Sequence, residues 1–556
     1  MKADLTRDTF HPLKHFSRVL MQQGRVQVDA DWNEQNAILL HYLRMLGTDL
    51  IGAHGGPIAH AGFALTPLML GSTASGDFRI APGRYYVDGI LCELETSSIA
   101  LTPQTSAAGQ AVVQVPVWSL DGMPFQANQY VEVFDAKLPP ATPPFPPTIV
   151  KIASVDSVHR LLTLDGAIAG LPTPQLPRLR RVVSYLSQPD YPIATNTKLV
   201  AGEYQAYLDV WERHITYIED DSIREVALGG PDTATRAKVI WQVKLGSACG
   251  STGTAGTDST NALNASCCTV DEITQRFQPD AQPRLKARAK VAVTSSDPCI
   301  IAPDARYRGA ENQLYRVEIH SSGVMGDSAP PTFKWSRENG AVVFPILSGG
   351  GTNTLTLETL GRDERFGLRE GDWVEIENDD HVLLNVTTAL LQVQTIDRTG
   401  LIVTLSASVD VAMNDAGRHP LLRRWDQQQG DATDGGLQLA ATGAAVIVED
   451  ANDNWLTLED GVQIQFQMPA GATPNQYRSG DYWLIPARTA TGNVEWPTEL
   501  DSQAQPSPLA LPPDGIIHHY APLGVVRVDA NGNVAKLETD CRNRFDTVVE
   551  LTPAST

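Results

Sequence analysis

The chain has 556 residues, enough for three or four globular domains, and its ordinary shares of apolar and charged residues exclude disorder as its main state. Its 64 acidic residues outnumber 43 basic ones, for a net charge of −21, and no Lys/Arg cluster interrupts this excess. Nucleic acid and anionic membrane surfaces are therefore excluded as favoured partners, since both bind through clustered basic side chains.

The first residues do not form a targeting signal. Met1 to Asp8 carry charges where a secretory signal peptide needs an apolar core. No run in the chain approaches the ~20 apolar residues of a membrane span. We therefore expect cytoplasmic synthesis without a signal peptide, and no membrane insertion.

Residues 24–50 predict a short strand followed by a helix. Residues 24–29 alternate apolar and polar side chains, and Asp31 with Glu34 fits a capping box at a helix start. From Trp32 to about Leu50 the apolar residues recur at helical spacing: Ile38, Leu39, Tyr42, Leu43, Leu46 and Leu50. This stripe fits two interpretations, a helix packed on its own domain or a docking arm that inserts into a neighbouring subunit.

Strand and turn patterns fill most of the remaining chain. Residues 78–80 and 84–90 predict strands around the Pro82-Gly83 turn. Six prolines within residues 139–147 predict an extended loop, because proline cannot donate to a strand ladder. Residues 334–343 predict a hairpin, since Asn339-Gly340 accepts the positive φ angles of a type I′ turn.

A weak internal repeat indicates a duplicated β-module. Residues 130–135, 150–156 and 161–164 match residues 373–378, 391–397 and 402–405 at an offset that drifts only from 243 to 241. Both copies alternate apolar and polar residues at period two, as half-buried strands do. Strand, long loop, strand, tight turn and strand predict a small antiparallel barrel or sandwich. A shorter match relates Gly371-Asp372-Trp373 to Gly480-Asp481-Tyr482.

These patterns predict a mainly β protein. We expect several small antiparallel β-barrel or sandwich domains, one of them duplicated, with an N-terminal strand-helix arm. The predicted domains are consecutive: a docking arm and helix at 1–60, a β-domain with a Pro-rich loop at 61–185, a β-domain with a Cys/Gly/Ser-rich insertion (about 247–300) at 186–330, a β-domain that resembles the first at 331–440, and a C-terminal β-domain at 441–556.

The cysteines form no recognisable metal motif. None of the six makes a Cys-x-x-Cys pair; they are Cys92, Cys249, Cys267, Cys268, Cys299 and Cys541. A zinc knuckle needs tighter ligand pairs. Zinc binding, a local disulfide and free thiols all stay open for the four cysteines between 249 and 299.

Signatures of catalysis are absent from the sequence. It contains no Gly-Lys-Ser/Thr phosphate loop, no His-Glu-x-x-His and no Gly-x-Ser-x-Gly elbow. Glu375 and Glu377 share a strand face, which we interpret as solvated and not as a hydrolytic acid pair. His518-His519 lacks a third metal ligand nearby. We therefore expect no enzyme activity, no catalytic or metal-binding residue and no cofactor.

Two acidic segments are similar to calcium loops. They begin at Asp450 and Asp529, and each places three carboxylate or amide oxygens at alternate positions. The sixth position, normally Gly, is Trp455 in one and Val534 in the other, and both lack the glutamate at position twelve. We interpret both segments as β-turns, which Asp and Asn favour.

Five phrases together resemble a known bacterial family. They are residues 15–34, 208–214, 333–340, 480–488 and 518–520. The family has no established activity and occurs in gene clusters for extracellular contractile injection systems and related phage-tail-like particles. The resemblance implies sheath, tube, baseplate and fibre proteins as neighbours of this chain.

The resemblance and the residue patterns lead to one functional expectation. We expect a structural particle component, baseplate-associated and either cage-like or fibre-connecting. It would join a symmetric multimer, and the assembled particle would carry it out of the cell. Buried aromatic and arginine side chains dominate interfaces, so the predicted interface residues lie in the N-terminal phrase: Phe16, Arg18, Val19, Gln22, Gln23, Arg25, Asp29, Asp31, Trp32 and Glu34.

Two alternatives stay open at this point. A glycan- or receptor-binding tail module is supported by aromatic-bearing strands, which contain Trp211, Trp335 and Trp483. These tryptophans also fit a structural place in the core. A polysaccharide-degrading enzyme is the weaker alternative, because it needs an acid pair that lines a cleft.

Overall fold

The chain divides into two compact units in a computed structural model. Unit 1 comprises Met1–His41, Glu212–Lys238 and Pro279–Ile517, and unit 2 comprises Tyr42–Trp211, Val239–Gln278 and His518–Thr556. The structure describes residues 1–70, 73–94, 97–104, 110–117, 119–120, 123–136, 147–166, 168, 176–194, 197–247, 270–277, 283–291, 306–361, 363, 367–449, 454–469, 471, 473–501, 503–534 and 539–546.

Among the described residues, helices are few and mostly short. The α-helices are α1 (Asp29–Ile51), α2 (Val270–Phe277) and α3 (Asp379–Leu384). Single 3-10 turns include Pro12–Lys14, Ile58–His60, Tyr185–Ser187, Asp221–Ile223, Val226–Leu228, Val411–Asn414, Ala416–Arg418 and Ala432–Asp434. Within the described residues, every helix is too short or too polar to cross a membrane.

Strands β1–β16 and β35–β37 lie wholly or mainly in unit 2. They are β1 (His54–Pro57), β2 (Leu65–Leu70), β3 (Thr73–Ile80), β4 (Gly83–Val87), β5 (Ile90–Leu94), β6 (Ser98–Ala100), β7 (Thr102–Gln104), β8 (Ala111–Gln114), β9 (Ser119–Leu120), β10 (Met123–Pro124), β11 (Tyr130–Asp135), β12 (Thr148–Asp156), β13 (Leu161–Leu164), β14 (Pro177–Val182), β15 (Gly202–Ile215), β16 (Arg236–Ser247), β35 (His519–Val528), β36 (Thr539–Asp540) and β37 (Arg544–Phe545).

Strands β17–β34 lie in unit 1. They are β17 (Leu285–Ala289), β18 (Gln313–Ser321), β19 (Gly323–Val324), β20 (Thr332–Ser336), β21 (Val343–Ser348), β22 (Thr354–Leu357), β23 (Trp373–Glu377), β24 (Leu390–Asp397), β25 (Ile402–Leu405), β26 (Leu421–Trp425), β27 (Ala445–Val446), β28 (Leu456–Thr457), β29 (Val462–Phe466), β30 (Gln476–Tyr477), β31 (Tyr482–Arg488), β32 (Asn493–Val494), β33 (Thr498–Leu500) and β34 (Pro506–Pro508).

The predicted fold class is confirmed, because most of the regular structure is antiparallel sheet. Unit 1 holds a five-stranded sheet in the order β27-β20-β18-β31-β32 and a closed barrel in the order β21-β22-β25-β24-β23-β26. Unit 2 holds four-stranded sheets in the orders β16-β15-β35-β36 and β37-β1-β4-β5, and a seven-stranded sheet in the order β6-β14-β11-β12-β13-β8-β7. The boundaries of the five consecutive predicted domains stay a prediction.

The seven-stranded sheet of unit 2 is a barrel with one interrupted strand, which we call the split barrel. Its end strands β6 and β7 are neighbours in the chain, separated only by Leu101. Leu101 is buried in the core that fills the sheet, so the two ends meet at this residue. In the closed barrel of unit 1 one unbroken strand, β21, pairs with both β22 and β26.

The two barrels confirm the predicted repeat strand by strand. Tyr130 pairs with Val182 as Trp373 pairs with Trp425. The register between the second and third repeat strands shifts at Ile152/Ser154 in one barrel and at Val393/Thr395 in the other. A bulge at the same offset of 241 in both copies indicates one module used twice. The match also includes β14 and β26, which the sequence pattern did not reveal.

The predicted hairpin at residues 334–343 is wrong in its pairing. Asn339 and Gly340 have the expected positive φ angles, 53° and 68°. However, β20 pairs with β18 and β27, whereas β21 pairs with β22 and β26. The turn therefore carries the chain from the five-stranded sheet into the closed barrel.

The predicted solvated face of β23 is also wrong, because Glu375 and Glu377 are both buried. Lys334 bonds to Glu375, and Arg423 donates to Glu377 at 3.0 Å. The pKa of Glu377 is lowered: burial opposes its charge, but the cations of Arg423, Lys2 and Lys334 outweigh that cost. These acids stabilise the interior of unit 1 as ion pairs.

Candidate protein-protein interface

The first residues of the chain are anchored in unit 1. Lys2 lies 3.2 Å from a Glu318 carboxylate oxygen and 3.4 Å from one of Glu377, both of which are buried. Asn339 donates hydrogen bonds from its side-chain amide to the carbonyls of Met1 (3.0 Å) and Ala3 (2.8 Å). Buried charged groups need such partners, so residues 1–3 are part of the fold of unit 1.

A clasp then joins this anchored segment to the start of α1. The backbone N–H and hydroxyl of Thr6 both donate to the Asp29 carboxylate, at 2.9 and 2.5 Å. The Thr9 hydroxyl donates to Glu34 at 2.7 Å. The hydrogen bonds from Thr6 lower the pKa of Asp29 in spite of partial burial. Because Thr6 meets Asp29, the chain between them forms a loop that is closed at its base.

We call residues 10–28 the arm. Nearly all of them are exposed, and only the 3-10 turn at Pro12–Lys14 is regular. Six large apolar side chains of the arm are between 43% and 86% exposed: Leu13, Phe16, Leu20, Met21, Val26 and Val28. Burying such a side chain is favourable by about 1.5–3 kcal/mol. A partner that covered the arm would therefore gain binding free energy from several of these side chains.

The helix α1 has one side against its own chain and one side exposed. Ala30 and Ile38 are buried, and the Phe10 ring lies 5.7 Å from that of His41. The four predicted stripe leucines, Leu39, Leu43, Leu46 and Leu50, are exposed on the other side, as is Tyr42. The burial of Ile38 agrees with the packed-helix interpretation; the other five stripe residues are exposed, and their docking role stays a prediction.

Two predictions on local structure in this region are wrong. Residues 24–28 form no strand, and α1 begins at Asp29, two residues before the predicted cap at Asp31. Asp29 binds Thr6 from a distant part of the sequence, which a local capping pattern does not reveal. The predicted helix end is confirmed, since α1 stops at Ile51 before Gly52, whose φ is +91°.

The predicted interface residues fall into two groups. Asp29, Asp31 and Glu34 accept hydrogen bonds within the chain, from Thr6, the Val28 N–H and Thr9 respectively. Val19 is half-buried, and its N–H donates to Gln35 at 2.8 Å. The remaining residues are exposed: Phe16, Arg18, Gln22, Gln23, Arg25 and Trp32. The first group fixes the loop, and the second is available for contact.

Apolar exposure is concentrated in this region. Fifteen of the 33 exposed large apolar side chains of the described residues lie within residues 1–50. The sequence analysis did not single out Leu13, Leu20 and Val26, which are also exposed. The concentration of exposed apolar side chains makes this region the candidate interface.

The arm also differs from the rest of the chain in charge. Residues 9–28 contain Lys14, Arg18 and Arg25 and no acidic residue, within a chain of net charge −21. An apolar segment with a positive rim fits a partner surface with an apolar centre and an acidic rim.

The aromatic residues considered for glycan binding are structural. Trp211, Trp335 and Trp483 are all buried, and the indole N–H of Trp483 donates to the Leu511 carbonyl at 3.0 Å. Sugar-binding aromatic residues need an exposed ring face, so these three do not form such a platform.

The two adjacent histidines each pair with an acid. Nδ1 of His518 lies 2.6 Å from Asp209, and Nδ1 of His519 lies 2.8 Å from Asp88. Lys244 contacts the other carboxylate oxygen of Asp209 at 2.7 Å. No three metal-type ligands come together among the described residues.

The second calcium-like segment is a turn, as predicted. The Asp529 carboxylate accepts the N–H groups of Asn531 (2.9 Å) and Asn533 (2.8 Å). Most of the first segment, 450–453, lies outside the described residues.

One cysteine outside the group at 249–299 is disulfide-bonded, which the sequence pattern did not predict. Cys541 is held in a disulfide, whereas Cys92 is a buried free thiol whose pKa is raised by burial. Cys249, Cys267, Cys268 and Cys299 lie outside the described residues.

Comparison with known proteins gives one match. A family model described as a family of unknown function, DUF6519, matches residues 1–150, 184–252 and 245–555. No curated protein and no solved structure matches the chain.

Proposed function

Since the chain belongs to DUF6519, a family of unknown function, we propose that it is a structural component of a contractile injection system or phage-tail-like particle. It attaches to neighbouring baseplate, sheath or fibre subunits through the arm and the exposed side of α1. The concentration of exposed apolar side chains in residues 10–50 is the observation that supports this proposal.

The mode of attachment follows from how the arm is held. Lys2 and Asn339 anchor the chain before the arm, and the Thr6–Asp29 clasp closes its base. A loop with fixed ends loses less conformational freedom on binding than a free tail does. Phe16 and Trp32 then serve as aromatic anchors, and Arg18 and Arg25 meet an acidic rim on the partner.

The rest of the chain supports a non-enzymatic role in this proposal. The acids that a hydrolase would need at β23 form buried ion pairs with Lys334 and Arg423. The contacts of Lys2, Asn339 and Thr6 in unit 1 hold the ends of the arm in place. The protein is made in the cytoplasm and reaches the outside as part of the assembled particle.

Particle incorporation of the full chain tests this proposal. Removing residues 1–50 would be a poor test, because Lys2, Ala3 and Ile38 contribute to the folded units. The variant Phe16→Ser with Trp32→Ser changes only exposed side chains. Losing an interface anchor costs about 2 kcal/mol or more, so incorporation should fall about 30-fold or further. The measurement is the amount of this chain in particles purified from cells that express all the particle genes.

The matched control is Val226→Ser with Leu228→Ser, which alters two apolar residues that lie outside residues 1–50 and are even more exposed. Normal incorporation of this control and an unchanged unfolding midpoint in both variants would attribute the loss to the arm. Normal incorporation of the Phe16/Trp32 variant would refute attachment through the arm.

A further inference from the structure

The exposed side of α1 has the residue spacing of a two-stranded coiled coil. Trp32, Leu39, Leu43, Leu46 and Leu50 are between 50% and 71% exposed and lie seven, four, three and four residues apart. This spacing alternates the a and d positions of a heptad repeat, with leucines at 43 and 50 as a and at 39 and 46 as d. The polar residue Asn36 occupies the remaining a position.

The helix is already held by its own chain, and most of these contacts lie on the side opposite the leucines. Ala30 and Ile38, at heptad positions b and c, are buried, and His41, at f, contacts Phe10. Toward the other end Gly47, at the flanking position e, packs closely on Gly89, where an added side-chain carbon would lie 3.1 Å from the Gly89 Cα. Contacts within the chain therefore already stabilise α1 as a helix. A partner helix needs only to bury the leucines.

We infer that α1 pairs with α1 of a second copy of this chain as a parallel two-stranded coiled coil. The leucine face, defined as Leu39, Leu43, Leu46 and Leu50, forms its core together with Asn36, whereas Trp32, one heptad before Leu39, stays available to the contacts of the arm. This inference rests on the proposed function in that it names the partner of α1, and it leaves the arm free for other particle subunits.

The flanking positions favour a second copy as the occupant. The e and g positions beside the leucine face are Asn33, Leu40, Gly47, Gln35, Tyr42 and Asp49. Only Asp49 is charged among them, although the chain has a net charge of −21. Two copies approaching through most other surfaces bring like charges together, whereas this face brings almost none. Because the leucine face can pack against the same face of a second copy, it also suits a two-fold symmetric pair.

Asn36 sets the orientation. In a parallel pair its amide meets the Asn36 amide of the other copy, and such buried asparagines fix register and two-stranded state. In an antiparallel pair centred on the same stripe it would face Leu46. Its side-chain N–H would keep the bond to the Trp32 carbonyl at 3.0 Å, but its side-chain oxygen would be buried against an apolar side chain, which is unfavourable. The parallel arrangement satisfies the amide and stacks the leucines in matched layers.

Sedimentation of the purified full chain tests the pairing. The wild type is expected to form a dimer, and Leu43→Lys with Leu46→Lys should weaken it on the order of 100-fold or more, because both substitutions place charge in the core. The control Leu228→Lys with Leu347→Lys changes two exposed leucines elsewhere and should leave the dimer unchanged. A monomeric wild type, or a dimer that survives the Leu43/Leu46 substitutions, overturns the inference.

Disulfide cross-linking tests the orientation. Asn36→Cys should give an oxidised covalent dimer that is absent from the parent chain, because equivalent a positions are close enough for a disulfide in a parallel pair. Asn33→Cys, one turn away at an e position, should not. Failure of Asn36→Cys to cross-link overturns the parallel pair. Because no particle protein is present in either assay, these results are independent of the arm's role in incorporation.

Discussion

The closed barrel and the split barrel place the same residue type in different surroundings. Glu375 and Glu132 occupy equivalent positions, the third residue of β23 and of β11. Glu375 meets Lys334, which is only 1% exposed and comes from β20 outside the barrel. Glu132 meets Arg180 of the adjacent barrel strand β14, and the Arg180 side chain is 32% exposed. A repeated strand therefore fixes where a buried acid lies, and the element that supplies its cation decides whether that cation is exposed to solvent.

The two barrels also differ in the strand that closes each of them. The first strand is continuous in the closed barrel and breaks at Leu101 in the split barrel, yet Leu101 and its counterpart Ile346 are equally buried. Both residues also donate their backbone N–H to an equivalent proline carbonyl, Leu101 to Pro177 at 3.2 Å and Ile346 to Pro420 at 2.9 Å. The interruption at Leu101 therefore leaves both the core packing and this hydrogen bond in place.

The largest expected effect is on the free energy of unfolding, when the cation beside Glu375 or the cation beside Glu132 is removed. Lys334→Met leaves Glu375 and Glu318 buried with fewer cations, and removing one partner of a buried pair costs about 3–5 kcal/mol. Arg180→Met is the control in the split barrel: the cation that is removed is 32% exposed and Glu132 keeps Arg79 at 3.6 Å, so the loss should be about 1 kcal/mol or less. Denaturant unfolding measures both, and equal losses would contradict the difference in burial.

An intermediate effect concerns pH. Burial raises the pKa of Asp77, beside Tyr130 of the split barrel, to about 6, although hydrogen bonds from Ser184 and backbone N–H groups oppose the rise. The folded state then keeps a proton that the unfolded state loses, so the free energy of unfolding should fall as pH rises from about 4 to 6. Asp77→Asn should remove this decline and gain on the order of 2 kcal/mol at pH 7 relative to pH 4.

The buried acids of unit 1 should respond in the opposite direction. Burial opposes ionisation of Glu318, but Lys2, Arg316 and Lys334 hold its pKa well below the usual range. Its stabilising contribution is complete above about pH 4.5 and is lost as pH falls further. Unfolding titrations of wild type and Asp77→Asn from pH 3 to pH 7 distinguish the two trends. A decline toward pH 6 that survives in the Asn variant would assign it to another group.

The smallest effect should be equal in the two barrels. Asp156 accepts the N–H groups of Val158 and His159, and Asp397 accepts those of Thr399 and Gly400, at 3.0–3.1 Å in each case. Asp156→Ala and Asp397→Ala each remove these two turn hydrogen bonds. The first also removes the 2.7 Å contact between Asp156 and Nδ1 of His159, which is exposed and therefore contributes little. Both should lower the thermal midpoint by similar small amounts, less than either substitution above, and clearly different shifts in calorimetry would show that the two turns are not equivalent.

Much of the fold was predictable because it depends on local periodicity. Alternation at period two located the repeat, and the helical spacing of the leucines located α1 and its end at Gly52. The strands β14 and β26 escaped because their adjacent arginines, such as Arg180 and Arg181, hide the alternation. The candidate site was predicted in part: Phe16 and Trp32 are exposed, whereas Asp29 and Glu34 turned out to hold the arm in place.

The sequence by itself determined the mainly β class, the duplicated barrel and an amphipathic helix near the start, because each follows from side-chain spacing along one segment. Only the tertiary structure decided which side of that helix is covered, where the turn at Asn339 leads and which acids are buried. These outcomes depend on residues hundreds of positions apart, such as Lys2 and Glu377. Pairings between distant residues leave no periodic pattern in a single sequence.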